Sequence, residues 1–401
     1  MITGRDIIFI SSIEWGFLWQ GHQEIALRLA RAGNRVLYIE NTGVRSPRLK
    51  DFSRVTARLK RWWKAFRSSG AREVAPNLHV CSPLVMPPFG SRFRRLLNRT
   101  FFLPAIKRTA RQLKMHNPLI WTYLPTDTAF DLIKVLRDKK STVVYYVGAD
   151  FDQLVPDLDQ LHESERAVID LSDIVITNCS TLTNRYSPMH KRVHTFQFGV
   201  DLCAFQNEKK ESEISRRRLH LLSTIESLKR PIIGYVGGLH RHIDFDLLAE
   251  AAKAKPDWSW VFVGPIQSPV GELENLPNVH FMDQQPHEEL VHFMRRFDVC
   301  IVPYLNNAFT ATVVPVKLNE YLAVGKPVVS TNIPMVCEFN DKYKVILTCE
   351  NTSESFLSAI ESCLNKDDAA TIEYRKKVAS LSEWQARLEA ICAAIENSHS
   401  S

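Results

Sequence analysis

The residues with the clearest potential for chemistry lie between Pro315 and Thr331, in the segment PVKLNEYLAVGKPVVST. Pro315 suits the first position of a helix, because its φ is preset and it has no amide hydrogen to leave unpaired. The free N–H groups and positive dipole of such a helix start would join the ammonium of Lys317 in a site for a diphosphate. Glu320 lies one turn further on the same face, where a carboxylate can accept hydrogen bonds from a ribose diol.

A turn and a strand follow this helix. Gly325 can adopt the left-handed conformation that ends a helix, and the apolar residues after Pro327 begin a buried strand. The same pattern also occurs at ordinary joints of α/β proteins, where Lys317 and Glu320 would form a solvated pair. The pattern alone leaves both interpretations open.

The segment resembles the donor-binding motif of GT-B glycosyltransferases, in which a Lys or Arg contacts the diphosphate and a Glu contacts the ribose. The resemblance gives these roles to Lys317 and Glu320. In many retaining members a second Glu lies eight residues earlier, where this chain has Thr312, so retention of configuration is not implied. The pattern along nearly the whole chain is similar to glycosyltransferases of bacterial exopolysaccharide and teichuronic acid biosynthesis.

Length and composition fit a large α/β enzyme. The 401 residues, 45% of them hydrophobic, can build two domains with separate cores. No apolar run approaches the roughly 20 residues that span a bilayer, and no signal peptide is evident, so we expect a cytoplasmic protein. The eight cysteines include no C-x-x-C pair, which indicates reduced thiols rather than disulfides or zinc.

Short β-branched segments alternate with helical patterns in two successive runs, which predicts two doubly wound parallel sheets. The expected fold class is α/β, with two Rossmann-like GT-B domains that face a central cleft. We assign residues 1–205 to an acceptor-binding domain, 206–230 to a polar interdomain connection and 231–368 to a nucleotide-sugar-binding domain. A helix in 369–401 is expected to cross back to the first domain. The last strand of the second run is expected at Lys344–Leu347.

Parallel sheets bind ligands at the carboxyl ends of their strands. The loop after Val236 offers two glycines for close backbone approach and two side chains for positive charge, although a Gly-Gly pair often marks only a turn. The loop after Met282 matches the GT-B segment whose backbone contacts the nucleobase. The predicted donor-binding residues are Gly237, Gly238, His240, Arg241, Gln284, Gln285, Lys317 and Glu320.

Two loops of the first domain can serve the acceptor. Trp15, Gly16 and His22 follow the first strand, where an acceptor sugar could stack on indole, unless these aromatics pack beneath the loop. Asp150 follows the strand that ends at Val147, and similar sequences carry an acid in this loop. It is our candidate for the general base of an inverting transfer, with helix capping as the alternative.

Three short Asp-x-Asp pairs begin at Asp150, Asp157 and Asp244. This spacing binds a divalent cation in another glycosyltransferase fold, but here the pairs are scattered and do not suggest carboxylates that converge on one ion. We therefore predict a metal-independent enzyme with no cofactor, for which the nucleotide sugar is a substrate.

Positive charge is concentrated in residues 45–114, which hold 18 Lys or Arg against two acids. This local charge of +16 within a chain of net charge +7 leaves the remainder at −9. Aromatic and cationic residues recur there at helical spacing, which is typical of a helix on an anionic membrane surface. The predicted membrane contacts are Trp62, Trp63, Phe66, Arg58 and Arg61. A basic surface helix is the alternative, and no recognised motif favours nucleic acid.

Together these features predict a glycosyltransferase, acting on a hexose, in cell-surface polysaccharide biosynthesis. Its partners would be a nucleotide-sugar donor, a glycan or lipid-linked glycan acceptor and the inner face of the cell membrane. A sugar-nucleotide epimerase of the same fold and a non-catalytic sugar-nucleotide-binding protein remain as alternatives.

Overall fold

The computed structural model describes residues 1–40, 70–83, 85–86, 92–155, 157–206, 216–365 and 368–398. The chain forms two compact units: Met1–Gln197 with Leu388–Ser401, and Phe198–Arg387. The described part of the predicted interdomain connection, residue 206 and residues 216–230, therefore belongs to the second unit. The reason is visible in Leu222 and Ile225, whose side chains are buried in that unit's core. Of the predicted C-terminal segment, only the part from Leu388 onward joins the first unit.

The first unit contains an eight-stranded sheet with the order β3-β4-β2-β1-β5-β6-β7-β8. Its strands are β1 (Asp6–Ile10), β2 (Arg35–Ile39), β3 (Arg72–Ala75), β4 (Leu78–Cys81), β5 (Leu119–Thr122), β6 (Thr142–Val147), β7 (Ile174–Thr177) and β8 (Val193–Thr195). All neighbours pair in parallel except β3 and β4. The sequence did not predict β3, because Arg72 and Glu73 are exposed and the strand lacks an apolar face.

Helices connect these strands. They are α1 (Gly21–Arg31), α2 (Arg92–Leu97), α3 (Leu103–Gln112), α4 (Asp127–Leu136), α5 (Leu158–Leu171) and α6 (Ser180–Tyr186). A π-helix, Asn98–Phe102, joins α2 to α3. Thr126 and Asp157 cap α4 and α5, since their side chains accept hydrogen bonds from the amides of Ala129 and Gln160.

The second unit contains a six-stranded sheet with the order β11-β10-β9-β12-β13-β14, in which all neighbours are parallel. Its strands are β9 (Ile232–Val236), β10 (Ser259–Val263), β11 (Val279–Met282), β12 (Val299–Val302), β13 (Val328–Thr331) and β14 (Leu347–Cys349). The predicted position of the last strand was wrong. Lys344 adopts a left-handed φ of 52° that ends the preceding helix, so β14 begins only at Leu347.

The helices of the second unit surround this sheet. They are α7 (Leu202–Gln206), α8 (Arg216–Glu226), α9 (Phe245–Ala254), α10 (Leu290–Arg296), α11 (Val316–Val324), α12 (Pro334–Tyr343), α13 (Ser353–Asn365) and α14 (Ala369–Ser380), followed by α15 (Trp384–Asn397), which continues into the first unit. The sheet strands β9, β10, β12 and β13 are buried along their whole length, as expected for parallel strands covered on both faces.

Each sheet has a point where the chain reverses its direction of strand addition. In the first unit it lies between β1 and β5, and in the second between β9 and β12. Loops diverge at the carboxyl ends of the strands beside such a point and leave a crevice in which α/β proteins bind ligands. The two switch points therefore indicate where functional side chains should be sought.

Candidate functional site

Helix α11 begins beside the switch point of the second sheet. Pro315 has an extended backbone (φ −69°, ψ 113°) and is the N-cap, so the helix begins one residue later than predicted. The N–H groups of Val316 and Lys317, at the first two helical positions, have no acceptor within the helix and carry its positive dipole. Gly325 ends the helix in the predicted left-handed conformation, with φ 84°.

The ammonium of Lys317 is held by two tyrosines. Its Nζ donates to Tyr304 Oη at 2.5 Å and lies 4.9 Å and 5.0 Å from the ring centroids of Tyr235 and Tyr304. In the part of the chain that the structure describes, no carboxylate pairs with Lys317. Aromatic faces hold a cation without neutralising it, so this charge is available to an anionic ligand.

The glycine loop after β9 passes directly under Lys317. A Cβ placed on Gly237 would lie 3.0 Å from Lys317 Cε, and the φ of Gly237 is +137°, which side-chain-bearing residues rarely adopt. Gly264, after β10, packs against the backbone of Gly237, and a Cβ on Gly264 would lie 2.2 Å from the carbonyl oxygen of Gly237. Within the described residues the amide of Gly238 has no partner, so it can donate to a ligand.

His240 and Arg241 differ from their predicted role as a pair of cations. Burial, followed by the charges of Lys317 and His242, lowers the pKa of His240 to about 3. His240 is therefore neutral near pH 7 and adds no positive charge. Arg241 is exposed and its Nε donates to His242 Nε2 at 3.3 Å, and its role in donor binding stays a prediction.

Glu320 is 7% exposed and its Oε1 lies 2.8 Å from His287 Nε2. The ring of His287 in turn meets Phe205 edge to face, with centroids 5.4 Å apart. His287 was not among the predicted site residues. The feature of the sequence that could have indicated it is its position directly after the predicted nucleobase segment. Thr312, at the position of the second Glu in retaining enzymes, is buried and donates to the carbonyl of Phe309 at 3.2 Å.

A cavity of about 680 Å³ opens beside these residues, at the carboxyl ends of β10 and β11. It is lined by Leu221, Gly264, Pro265, Ile266, Phe281, Met282, Asp283, Gln284, Gln285 and Pro286. Gly264 links its wall to Gly237, and the loop that holds Gln284 and Gln285 leads on to His287 and Glu320. The volume lies within the range of small-molecule sites. The predicted phosphate and nucleobase residues thus border one another in space.

A buried polar network lies at the switch point of the first sheet. Ser11 Oγ accepts from the amide of Ile13 at 3.1 Å and from Tyr38 Oη at 2.8 Å, and it lies 2.9 Å from His22 Nδ1. Tyr38 Oη also donates to the carbonyl oxygen of Ile13 at 3.1 Å, so the hydroxyls of Ser11 and Tyr38 and the imidazole of His22 form one connected network. His22 also stacks on Tyr123 with centroids 3.5 Å apart, and burial lowers its pKa to about 3.

Trp15 and Gly16 occupy the loop above this network. The amide of Trp15 donates to the buried carboxylate of Glu40 at 2.7 Å, and its ring meets Trp19 and Tyr38 edge to face at 5.6 Å and 5.2 Å. Trp15 is only partly exposed, whereas Gly16 is exposed with open space around its Cα. The aromatic residues thus support the loop, and the acceptor role of Trp15 and Gly16 stays a prediction.

Asp150 is 4% exposed and forms a bidentate pair with Arg185. The two guanidinium nitrogens lie 2.8 Å and 3.0 Å from its oxygens, and this hydrogen bonding raises the pKa of Arg185. Asp150 Oδ1 also accepts from the amide of Asp152 at 3.2 Å and so caps a short 3₁₀ turn. Both oxygens are thus occupied in this arrangement, and a base role for Asp150 stays a prediction.

The remaining predictions concern membrane contact, metal binding and the cysteines. Trp62, Trp63, Phe66, Arg58 and Arg61 fall in 41–69, outside the described residues. Within the described ranges, no group of three or more His, Cys, Asp or Glu side chains is arranged to hold a metal ion. None of the helices in those ranges combines the length and apolar character that a membrane span requires. All eight cysteines are free thiols in the structure.

Sequence comparison finds a family match within the second unit. Residues 223–380 match the profile described as "Glycosyl transferases group 1", and all predicted donor-binding residues lie within them. The chain is also 29% identical over 241 residues to TuaH of Bacillus subtilis, named as a teichuronic acid biosynthesis glycosyltransferase. That alignment covers 56% of this chain and 59% of TuaH, so it spans less than two thirds of the relative.

Solved structures are similar along the whole chain. Sucrose-phosphate synthase of Thermosynechococcus elongatus has a TM-score of 0.69 at 18% identity, over 98% of both chains. HepE of Anabaena in complex with UDP and glucose has a TM-score of 0.66 at 15% identity, over 98% of this chain and 99% of that one. An α,α-trehalose 6-phosphate synthase of Burkholderia multivorans has a TM-score of 0.66 at 13% identity, over 100% of this chain and 98% of that one. These similarities confirm the predicted GT-B fold.

Proposed function

We propose that this chain, in which a group 1 glycosyltransferase domain occupies residues 223–380 of a GT-B fold, transfers a sugar from a nucleoside diphosphate sugar to an acceptor hydroxyl. The observation that carries the proposal is the unneutralised ammonium of Lys317, held above Gly237 at the switch point of the second sheet. A cation, a close glycine backbone and a helix N-terminus at one point are suited to a diphosphate.

The donor would occupy the second unit in a definite order. Its diphosphate would meet Lys317, the amide of Gly238 and the start of α11. Its ribose would lie at Glu320, which His287 holds from the other side. Its base would enter the cavity lined by Gln284 and Gln285. The group 1 profile and the HepE structure with UDP and glucose support a nucleotide sugar as donor.

In the transfer, the bond between the sugar's anomeric carbon and the diphosphate oxygen breaks, and a bond to the acceptor oxygen forms. Negative charge grows on the departing diphosphate. Lys317 and the amide dipoles of α11 are already in position, so they would stabilise that charge without rearrangement of the protein. Such electrostatic stabilisation of the transition state is usually the largest single contribution to an enzyme's rate enhancement. The acceptor hydroxyl loses its proton in the same reaction, and the proton passes to a basic side chain, to the departing diphosphate or to solvent.

The first unit would supply the acceptor side. Burial keeps the His22 ring neutral, with a pKa of about 3, so His22 would hydrogen-bond to a sugar oxygen rather than act as a base. Asp150 could act as the general base only in a state in which Arg185 no longer hydrogen-bonds to its carboxylate. In the arrangement seen here, the Asp150–Arg185 pair positions the loop. Asp150→Asn and Arg185→Lys separate these roles, because loss of a base abolishes turnover in Asp150→Asn alone, whereas loss of positioning weakens turnover in both.

We further propose a glycan or lipid-linked glycan acceptor of cell-surface polysaccharide biosynthesis, at the inner face of the membrane. The similarity to TuaH, named for teichuronic acid biosynthesis, supports this class of acceptor. The basic segment that contains Trp62 and Trp63 supports attachment to an anionic surface.

The proposal is tested by the dependence of product release on the acceptor. Purified protein is first screened against several nucleotide sugars by thermal stabilisation, and the best donor is then incubated with and without lipid-linked acceptor. A glycosyltransferase releases nucleoside diphosphate when acceptor is added. Conversion of the donor to an epimer without acceptor would establish the epimerase, and donor binding without any product in either reaction would establish a binding protein.

A further inference from the structure

An exposed apolar and basic surface lies on the segment Arg92–Gln112 of the first unit, apart from every residue assigned above to the donor or acceptor. Phe93, Leu96 and Phe101 expose 66%, 55% and 67% of their surfaces. Phe93 and Leu96 are one α-helical turn apart, and the step of five residues from Leu96 to Phe101, which enters the π-helix at Asn98, matches the i→i+5 spacing of that helix type. These spacings place the three side chains on one side of the segment, and exposed apolar groups that stand together mark an interaction site.

The segment is fixed from beneath, so this face is presented rigidly. Asp131 of α4 is buried and receives bidentate hydrogen bonds from both Arg95 and Arg99, with distances of 2.7–3.0 Å. The buried side chain of Asn98 accepts from the amide of Met86 at 2.7 Å and donates to its carbonyl oxygen at 3.1 Å. These contacts hold the inner side of the π-helix, which turns Phe101 outward.

The segment that carries the apolar side chains is itself cationic. No Asp or Glu occurs in the sequence from Val74 to Thr126. Arg92 and Arg108 are exposed, and neither forms an ion pair with any residue that the structure describes. Phenylalanine and leucine side chains between unpaired arginines match the boundary of an anionic bilayer, where rings enter the acyl region and guanidinium groups meet lipid phosphates.

We propose that this surface seats the protein on an anionic membrane, with Phe93, Leu96 and Phe101 inserted among the lipids and Arg92 and Arg108 at the head groups. Membrane binding by this surface does not depend on the proposed function. Its purpose, access to a lipid-linked acceptor, rests on that function. A second copy of the chain is disfavoured as the occupant, because a twofold contact at this face would bring like charges together. Nucleic acid would use the arginines but leaves the large apolar exposure unexplained.

The experiment measures binding of the full chain to vesicles, which does not depend on transfer. Parent, Phe93→Ser/Phe101→Ser and Arg92→Ser/Arg108→Ser are sedimented with phosphatidylglycerol-containing and with pure phosphatidylcholine vesicles, at low and high salt. Leu381→Ser is the matched control, since Leu381 is 59% exposed in the second unit. Trp62→Ala/Trp63→Ala is measured in parallel to separate this surface from the segment 41–69.

We expect the parent and Leu381→Ser to bind anionic vesicles equally. The phenylalanine variant should bind at least tenfold more weakly at both salt concentrations, and the arginine variant should be weaker mainly at low salt. Unchanged binding of the phenylalanine variant would overturn the proposal, as would absence of parental binding to anionic vesicles. A parental dimer in solution that the phenylalanine variant dissociates would assign the face to a second copy and overturn it too. Far-ultraviolet circular dichroism and thermal melting confirm that each variant is folded.

Discussion

Replacing Lys317 by Met should remove the charge at the diphosphate while leaving the aliphatic stem above Gly237. In the described part of the chain this ammonium has a hydroxyl and two aromatic faces as partners but no carboxylate. The variant therefore loses an interaction with the ligand's charge rather than an internal ion pair. A hydrogen bond to a charged group contributes about 1.5–3 kcal/mol. The donor's Kd should therefore rise about 10- to 150-fold, at about 1.4 kcal/mol for each factor of ten.

The assay is titration calorimetry with the nucleoside diphosphate, supported by thermal stabilisation. At a ligand concentration 100 times the parental Kd, the parent gains about 2.7 kcal/mol, whereas a variant with a 100-fold weaker Kd gains only about 0.4 kcal/mol. Lys253→Met is the matched control, because Lys253 lies in the same unit and pairs with Glu272 on the surface. It should bind like the parent.

Tyr304→Phe supplies an internal check. It keeps the ring under the ammonium but removes the hydroxyl that accepts from Lys317 Nζ, so its effect should be about 1 kcal/mol or roughly fivefold in Kd. In the double variant with Lys317→Met the hydroxyl has no cation to orient, and the two effects should not add. Equal donor affinity in the parent, Lys317→Met and Lys253→Met would refute the assignment of the phosphate site.

Three further outcomes are expected. Burial keeps His22 and His240 neutral with pKa values of about 3, so below pH 6.5 the unfolded chain binds more protons than the folded chain. The free energy of unfolding should therefore fall by up to about 1.4 kcal/mol per pH unit per histidine as pH drops from 6.5. Denaturant titrations at several pH values should show that this free energy depends less steeply on pH in the His22→Gln and His240→Gln variants. Gly237→Ala should weaken donor binding at least tenfold by displacing Lys317, whereas Gly271→Ala, at φ +64° with open space, should cost only about 1 kcal/mol of stability and leave binding unchanged. Transfer activity should persist in EDTA, and a loss that manganese or magnesium restores would show that the diphosphate needs a metal.

The sequence by itself determined that the chain contains two parallel sheets, most of their strands and the central motif of the second unit. Buried parallel strands are nearly continuous β-branched runs, so local composition specifies them. Gly325 and Lys317 could be placed from a few neighbouring residues, because helix termination and helix-start charge are local properties. The same locality explains one missed strand and one misplaced strand. β3 is an exposed edge strand without an apolar pattern, and β14 begins three residues after the predicted start because Lys344, although not a glycine, adopts the left-handed conformation that ends the preceding helix.

Tertiary structure decided which side chains share a site and in what charge state. Tyr304 and Lys317 meet because β12 ends and α11 begins at the same switch point. Sequence spacing does not encode such a contact between two elements. His240 becomes neutral through burial beside Lys317, although its residue type suggested a cation. Asp150 is likewise claimed by Arg185, 35 residues away in the chain. Burial and partner choice depend on elements that are distant in sequence, so the fold had to bring them together before the chemistry of these residues could be specified.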